Sequence, residues 1–260
     1  MLRGMWSASS GMAAQQLRID VIANNLANVN TPGFKKSRAD FMDLMYQTLY
    51  QPGSTTNEGG QIPTGIQIGM GTMPASIHKE FSQGDFQHTE NELDLAIEGR
   101  GFFKVLSNGE ELYTRAGNFK LDSEGNIVTS RGDKLQPEIT IPPDTVSIHI
   151  DKNGVVTAFG PDGRGTNLGT IELYTFPNPA GLLSLGHNLY RPTEASGEPI
   201  AGTPGTNGIG TIAQGYLEMS NVNVVEELVS MIMAQRAYEL NSKAIKVADE
   251  MMQMANNIKR

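Results

Sequence analysis

The sequence predicts an α+β fold in which helices at the two ends of the chain flank a central antiparallel β domain. Apolar residues recur every seven positions near both termini, which is the spacing of paired helices. Between these segments, short apolar runs are separated by turn residues, which is typical of β hairpins. Glycine supplies 29 of the 260 residues, which is more than the usual share of about 7% and indicates many turns.

The N-terminal helix is predicted from a narrow apolar seam. Its heptad positions are Met5, Met12, Ile19 and Leu26, and Ile22 lies one turn away. The pattern predicts a helix that continues to about Asn28. The sequence Thr31-Pro32-Gly33 then ends it, since proline cannot continue a helix.

The C-terminal helix has the same period over a longer stretch. Its heptad positions are Val224, Met231, Tyr238, Ile245 and Met252, with Leu228 at a one-turn offset. Asn223 and Glu226 have the spacing of a capping box. A helix from here to about Asn256 would be roughly 50 Å long. We expect the two seams to form a subunit interface, in which the helices pair with each other and with neighbouring copies.

The middle of the chain is predicted to be an antiparallel sandwich or barrel. Turn signals such as Lys152-Asn153-Gly154 separate its short apolar runs, which include Ile77–Phe86 and Val155–Phe159. Two low-complexity loops, Gln51–Gly71 and Ala195–Gly210, interrupt the pattern. We therefore predict a terminal helical domain from residues 1–33 and 217–260, an extended linker or insert at 34–71, and a β-rich domain at 72–216.

Composition excludes several functional classes. The net charge of −8 and the lack of Lys/Arg runs argue against a nucleic-acid partner. The chain has no cysteine, so disulfides, thiolate catalysis and cysteine-based metal sites are excluded. The first twenty residues lack the apolar core of a cleavable signal peptide, and no segment is long and apolar enough to span a bilayer.

Candidate catalytic groups do not form a recognisable constellation. The histidines are scattered, and Glu90, Glu92 and Asp94 have the spacing of a solvated strand face. The sequence Asp151-Lys152-Asn153-Gly154 begins like a calcium loop but lacks the later ligands, which favours a hairpin turn. We therefore expect no catalytic residue, no cofactor and no metal site, and hence no enzyme.

Five motifs give the chain a clear resemblance to a known family. They lie at 20–35 (DVIANNLANVNTPGFK), 93–103 (LDLAIEGRGFF), 113–119 (YTRAGNF), 220–228 (SNVNVVEEL) and 235–243 (QRAYELNSK). Together they resemble the flagellar rod and hook protein family, over essentially the whole chain. The residues that carry this signature are Asn24, Asn25, Asn28, Gly33, Phe34, Gly99, Gly101, Phe102, Phe103, Asn221, Gln235, Arg236, Tyr238 and Asn241.

The resemblance implies both an architecture and a role. In the family, the terminal helices form a coiled-coil-like inner layer around a channel, and the β domain lies outside it. The chain length is close to that of distal rod subunits, which polymerise into a hollow drive shaft that transmits torque from motor to hook. The implied partners are further copies of the chain, proximal rod subunits, the hook protein, the P and L ring proteins, a rod-capping protein and the flagellar type III export apparatus. Export without a cleaved signal peptide to the periplasm-spanning basal body is implied as well.

Three alternatives remain at this stage. A proximal rod or hook-type paralogue would share the same motifs. A secreted β-rich glycan-binding protein or enzyme would need a carboxylate pair in a cleft. A coiled-coil adhesin is suggested by the helical seams and by Arg131-Gly132-Asp133, although that tripeptide also has ordinary turn chemistry.

Overall fold

A computed structural model describes residues 2–52 and 63–258 of the chain. Helix α1 spans Leu2–Ala27 and helix α2 spans Val224–Ile258, so both predicted helices are present with nearly the predicted ends. At 1.5 Å per residue, α2 is roughly 50 Å long. Within the described residues, neither helix has an apolar stretch sufficient to cross a membrane.

The chain forms two compact units, each of which is assembled from separate parts of the sequence. The first unit, called the helical unit here, contains residues 1–26, 37–78 and 224–260. The second, called the β unit, contains residues 27–36 and 79–223. Met1 and residues 53–62 and 259–260 lie outside the described residues, as does that part of the predicted Gln51–Gly71 loop.

Four strands accompany the helices. Strands β1 and β4 form one two-stranded ribbon, and β2 and β3 form another. The second ribbon is antiparallel, with Tyr46 opposite Gly69 and Tyr50 opposite Ile66. The strands are β1 (Ser37–Asp43), β2 (Tyr46–Tyr50), β3 (Ile66–Gly69) and β4 (Thr72–Lys79).

The remaining strands are short and belong to the β unit, where all their recorded pairings are antiparallel. They are β5 (Phe86–His88), β6 (Leu95–Glu98), β7 (Phe103–Ser107), β8 (Glu110–Thr114), β9 (Lys120–Leu121), β10 (Ile127–Val128), β11 (Lys134–Gln136), β12 (Ser147–Ile150), β13 (Val155–Phe159), β14 (Gly165–Thr170), β15 (Leu173–Thr175), β16 (Leu183–Gly186), β17 (Leu189–Arg191), β18 (Ile200–Gly202), β19 (Thr211–Gln214) and β20 (Tyr216–Glu218).

The largest sheet of the β unit has seven strands in the order β16-β17-β8-β7-β11-β10-β9. A three-stranded sheet β12-β13-β14 and the pairs β15–β18, β19–β6 and β20–β5 complete it. The predicted hairpin turn at Asp151–Gly154 joins β12 to β13, and the Gly154 amide donates to the Asp151 carbonyl at 2.8 Å. The α+β fold class is therefore confirmed.

Two apolar clusters form the core of the β unit. The larger cluster combines residues from β6, β7, β11 and β13, including Ile97, Phe103, Val105 and Val156, all of which are fully buried. The smaller cluster is mainly aromatic and includes Phe102, Tyr113, Tyr174, Phe176 and Tyr190. Its rings meet edge to face at centroid distances of 4.9–5.9 Å, which is the favoured geometry for aromatic pairs.

The structure divides the chain differently from the predicted domain boundaries. Much of the predicted linker at 34–71 forms β1, β2 and β3 and belongs to the helical unit, as does the start of β4. The reason is strand pairing. Because β4 pairs with β1, residues up to His78 belong to the helical unit. Residues 217–223 belong instead to the β unit, because β20 pairs with β5.

Glu90, Glu92 and Asp94 do not share the predicted solvated strand face. Glu90 and Glu92 are exposed, as predicted, but lie in a bend and a turn, whereas Asp94 is buried and forms an isolated bridge with Asn118. Asp94 accepts hydrogen bonds from the Thr89 hydroxyl at 2.7 Å and from the Asn91 amide at 3.0 Å. The local bonds between these side chains favour the turn over an extended strand.

Candidate assembly surfaces

The two helices contact each other in an antiparallel pair with a defined register. The Asn25 side-chain amide donates to the Glu227 carboxylate at 3.3 Å. Fourteen residues earlier on α1, Gly11 lies against Asn241, and a Cβ added to Gly11 would come within 2.9 Å of the Asn241 amide nitrogen. Asn241 also lies fourteen residues after Glu227 on α2. The two contacts are therefore two heptads apart on both helices, as a coiled-coil-like pair requires.

Small side chains dominate the contact side of this helix pair. On α2, Ala234 and Ala248 are buried seven residues on either side of Asn241, and on α1, Ala8 and Ala14 are buried. Small residues allow close approach of two helices, so this seam is narrow.

The side chains predicted to form the seams of α1 and α2 differ in exposure. Ile22 is buried; Met5, Met12, Ile19, Leu26, Met231, Ile245 and Met252 are half-buried; Val224, Leu228 and Tyr238 are exposed.

A second apolar stripe on α2 is not used by this pair. At about 100° per residue it lies roughly 115° around the helix from Asn241. Leu240 and Val225 are each 68% exposed, although they belong to a stripe several turns long. We call this surface the outer stripe; it consists of Val225, Val229, Met233, Leu240, Val247, Met251 and Met254. Contiguous exposed apolar surface of this kind marks a protein contact.

The β2–β3 ribbon is the other exposed apolar feature of the helical unit. All nine residues of its two strands are exposed. They include Tyr46, Leu49, Tyr50, Ile66 and Ile68, and the neighbouring Met45 is 85% exposed. A two-stranded ribbon with both faces exposed is marginally stable by itself. Its composition therefore favours coverage by another molecule.

The asparagine-rich end of α1 has a structural explanation. Asn25 is 1% exposed and uses both ends of its amide on one residue, since it donates to the Ser37 carbonyl and accepts from the Ser37 amide, each at 2.9 Å. It thereby fixes the start of β1 against the end of α1. Asn24 is exposed and Asn28 is half-buried, so Asn25 is the signature residue that faces the interior of the helical unit.

We expect Asn25→Asp to lower the free energy of unfolding by about 2–3 kcal/mol, because the Ser37 carbonyl and the buried Glu227 carboxylate each lose a hydrogen bond from the Asn25 amide. The new carboxylate would also face the Glu227 carboxylate. Chemical denaturation of the full chain, followed by helical circular dichroism, measures this loss. The exposed Asn30 provides a matched control, and Asn30→Asp should shift the midpoint negligibly. Equal shifts for the two variants would show that the Asn25 contacts are not stabilising.

The β unit contains a buried charge cluster of Lys35, Arg115 and Glu218. The side chains of Lys35 and Glu218 are each 1% exposed and that of Arg115 is 6% exposed. Glu218 accepts from Lys35 Nζ at 2.6 Å and from Arg115 Nε at 2.5 Å. Lys35 follows α1 in the chain and Glu218 shortly precedes α2. The cluster therefore joins both segments that lead to the helices.

Backbone carbonyls satisfy most of the remaining donors of the cluster. Arg115 donates to the carbonyl oxygens of Ile97, Gly99 and Gly101 at 2.6–2.8 Å. Lys35 donates to the Ser82 carbonyl at 2.6 Å. Because one carboxylate serves two cations, the cluster carries one excess positive charge.

The pKa values reflect burial and pairing in this cluster. Burial lowers the pKa of Lys35, and the attraction of Glu218 opposes this only in part. For Glu218, burial alone would raise the pKa, but Arg115 and Lys35 together hold it below its usual value. The carboxylate is therefore kept ionised by its two partners.

Two further signature residues hold the same connecting segments. The Asn221 side chain accepts from the Lys36 amide at 2.8 Å and donates to the Glu80 carbonyl at 2.9 Å. Gly33 has φ +70° and lies against the backbone of Ala116, where a Cβ would approach to 2.6 Å. Only glycine tolerates both the conformation and the close approach.

The central signature positions are structural too. Gly99 and Gly101 have φ +107° and +150°, and their carbonyls bind Arg115. Phe102 and Phe103 are both buried, but Phe102 joins the aromatic cluster and Phe103 the larger core. The remaining signature residues differ in the exposure of their side chains. Phe34 is buried; Asn241 is half-buried; Gln235, Arg236 and Tyr238 are exposed on α2.

Sequence reasoning missed the roles of Lys35, Arg115 and Glu218. Lys35 and Arg115 lie inside quoted motifs, yet nothing local distinguishes them from surface cations. The available signal was that each is the single cation of its motif. The outer stripe was also missed, although the helical spacing of Val225, Val229 and Leu240 could have identified it.

Comparisons with known proteins agree with the motifs. Three family patterns match the chain: residues 5–35 match "Flagella basal body rod protein", residues 96–158 match "Flagellar hook protein FlgE/F/G D1 domain", and residues 213–258 match "Flagellar basal body rod FlgEFG protein C-terminal". Together they cover most of α1, part of the β unit and nearly all of α2.

Curated relatives are similar over their full length. The flagellar basal-body rod protein FlgG of Borreliella burgdorferi is 50% identical, and the alignment covers 100% of both chains. The protein of the same name from Buchnera aphidicola subsp. Schizaphis graminum is 47% identical over 99% of this chain and 100% of its own. That of Bacillus subtilis is 42% identical over 100% of both chains.

Proposed function

Because this chain belongs to the FlgG family of flagellar basal-body rod proteins, we propose that it is a structural subunit of the distal rod. In this role, copies of the chain polymerise into a hollow helical shaft that transmits torque from the motor to the hook. The role is structural rather than catalytic. This proposal agrees with the function predicted from the sequence and assigns subunit contacts to the outer stripe and the β2–β3 ribbon.

The outer stripe is the observation that carries the proposal for self-assembly. The helix pair uses the side of α2 that bears Ala234, Asn241 and Ala248, and leaves Leu240 and Val225 exposed. A subunit whose terminal helix keeps an apolar stripe after pairing can bury it only against another molecule. A repeated contact between two different surfaces, with a rotation that does not close, generates a helical tube.

The β2–β3 ribbon provides a second contact in this proposal. Its exposed tyrosines and isoleucines would be covered by a neighbouring copy, which would brace the shaft against bending. A torque shaft must remain straight, so additional contacts of this kind favour the proposed role. The intervening residues 53–62 lie outside the described residues.

The proposed partners follow from the position of a distal rod in a basal body. They are proximal rod subunits at one end, the hook protein at the other, P and L ring proteins around the shaft, a rod-capping protein, and the type III apparatus for export. The proposed location is the periplasm-spanning part of the basal body, and we propose that the chain arrives there without a cleaved signal peptide.

Electron microscopy of basal bodies from a strain that lacks the gene tests this function. We expect truncated rods without a hook, and full-length rods when the intact gene is restored. The position at which the rod stops distinguishes a distal from a proximal subunit. Complete rods with attached hooks in the deletion strain would overturn the proposal.

A further inference from the structure

The β unit contains a pocket of about 320 Å³ beside the buried charge cluster. Its walls are apolar and aromatic, and its rim includes Arg100. The wall residues are Phe81, Phe102, Phe176, Pro177 and Pro179. The rings of Phe102 and Phe81 meet at 5.4 Å and those of Phe102 and Phe176 at 5.7 Å, which fixes the shape of the walls. A concave site of this size and lining is typical of a binding pocket.

Among the described residues, the charged side chains that line this pocket are all positive. They are Lys35, Arg100 and Arg115. Glu218 neutralises one of the two buried cations. The Arg100 side chain is exposed, and among the described residues its guanidinium has neither a hydrogen bond nor an ion pair. The pocket therefore suits an apolar side chain with a carboxylate beside it, because a guanidinium binds a carboxylate through charge-assisted hydrogen bonds.

The chain carries a group with this chemistry on the same unit. Val146 is 72% exposed, and Asp144, two residues earlier, is exposed and has no side-chain partner among the described residues. The turn that presents them is ordered, since the Thr145 amide donates to the Pro142 carbonyl at 3.2 Å and the Val146 amide to the Phe159 carbonyl at 2.8 Å. A preorganised loop loses little conformational entropy on binding.

The surroundings of this loop have the opposite charge to the pocket. Pro142 and Val146 of this loop line a groove together with Glu90, Glu92, Asp122 and Glu124, and among the described residues no lysine or arginine lines it. This groove and the cationic pocket have different lining residues. One copy of the β unit thus has a cationic pocket and, elsewhere, an exposed loop that borders an acidic groove, and two different surfaces of this kind are what a head-to-tail contact needs.

We propose that the pocket at Arg100 receives the Pro142–Val146 loop of a second copy of this chain. Val146 lies against the aromatic wall, and the Asp144 carboxylate accepts hydrogen bonds from the Arg100 guanidinium. This contact rests on the proposed function, since it forms between neighbouring subunits of the shaft. It adds an interface between β units to the one that the outer stripe of α2 provides.

Cysteine cross-linking tests the contact directly, because the chain contains no cysteine. Arg100→Cys and Asp144→Cys are introduced together, and isolated shafts are treated with a short bismaleimide. We expect a ladder of covalent oligomers from the double variant, and only monomer from each single variant. Normal shafts that yield no ladder would overturn the contact and leave the proposed function intact. Absence of any shaft, even with the unaltered chain, would instead overturn the proposed function.

Charge reversal provides an independent measurement. We expect Arg100→Glu or Asp144→Arg alone to reduce the number of complete shafts per cell at least about tenfold, because like charges then face each other. The two substitutions together should restore the number to within about threefold. Arg164→Glu and Asp162→Arg, on an exposed loop of the same unit, are matched controls and should have little effect. A normal number of complete shafts with Arg100→Glu would contradict the proposal. It would also be contradicted if the double variant did not recover shafts although the single and double variants had normal melting temperatures.

Discussion

Leu240→Asp is expected to abolish assembly of the shaft without altering the fold of the isolated subunit. Leu240 is 68% exposed and lies on the outer stripe of α2, so the isolated chain tolerates a carboxylate there. In the shaft, the proposed interface buries this position. With aspartate at position 240, the interface would lose roughly 1.5–3 kcal/mol of stabilisation per subunit from apolar burial. Burial of an unpaired carboxylate would weaken the interface further. We expect motility to fall at least tenfold and basal bodies to lack a distal rod.

A matched control separates the stripe from the rest of the helix. Gln253→Asp introduces the same charge at an exposed position on the other side of α2, and this variant should swim normally. Ile19→Asp and Ile245→Asp instead place the charge at half-buried positions of the predicted helical seams. These two variants should reduce the helical signal of the isolated chain as well as motility. Normal motility with Leu240→Asp would show that the outer stripe does not face a neighbouring subunit.

The largest change in stability is expected from Glu218→Gln. Among the described residues, Glu218 is the only carboxylate paired with Lys35 and Arg115, both of which are buried, and this substitution removes it. Removing one partner of a buried ion pair typically costs about 3–5 kcal/mol, because the remaining charge stays uncompensated. For a chain of this size, that loss corresponds to a fall in melting temperature of roughly 10 °C. Thermal unfolding of the full chain measures it.

The matched control is Glu124→Gln. The Glu124 side chain is 71% exposed and lies 3.9 Å from Lys134, so its ion pair is weak. A surface pair of this kind contributes less than about 1 kcal/mol, and we expect little change in melting temperature. Similar destabilisation by both substitutions would show that burial of the cluster contributes nothing special to stability.

The pH dependence of the unfolding free energy should also show the contribution of the ionised Glu218 carboxylate. The pKa of Glu218 is lowered in the folded chain. Its contribution is therefore complete above the unfolded pKa of about 4.3 and is lost as the pH falls through the lower folded pKa. Acid titration of the unfolding free energy should show this loss in the unaltered chain. The Glu218→Gln variant should lack that component and have a flatter acid limb.

The sequence predicted the helices, whose pattern is periodic, but not the charge cluster, whose residues come from distant positions in the chain. The heptads through Ile19 and Ile245 identified both helices, because each turn repeats the same local signal. Glu218, by contrast, lies 103 residues from Arg115 and 183 from Lys35. No local pattern indicates that a glutamate will be buried between two cations. The pairing of β20 with β5, which places it there, is decided by the whole β unit.

The short strands show a related difficulty. Val155–Phe159 was predicted with its observed ends because the turn Lys152-Asn153-Gly154 precedes it. In the structure, its residues alternate between half-buried and buried. The run Ile77–Phe86 was predicted as one strand, but β4 ends at Lys79 and β5 begins at Phe86. Between them, Ser82 and Gly84 bond to the charge cluster through their backbones. A tertiary contact of this kind overrides the local preference for an extended run.

The spacing of the two contacts between the helices, Asn25 with Glu227 and Gly11 with Asn241, has a consequence for the fidelity of assembly. A heptad seam alone permits α1 and α2 to slip past each other by seven residues, because apolar positions then meet apolar positions again. Such a slip would place Asn25 opposite Ala234 and leave the Glu227 carboxylate without its amide donor. The loss of the hydrogen bond from Asn25 to the buried Glu227 carboxylate opposes this error. We therefore expect these contacts to favour a single register of the helix pair, so that every subunit presents the same outer stripe to its neighbours.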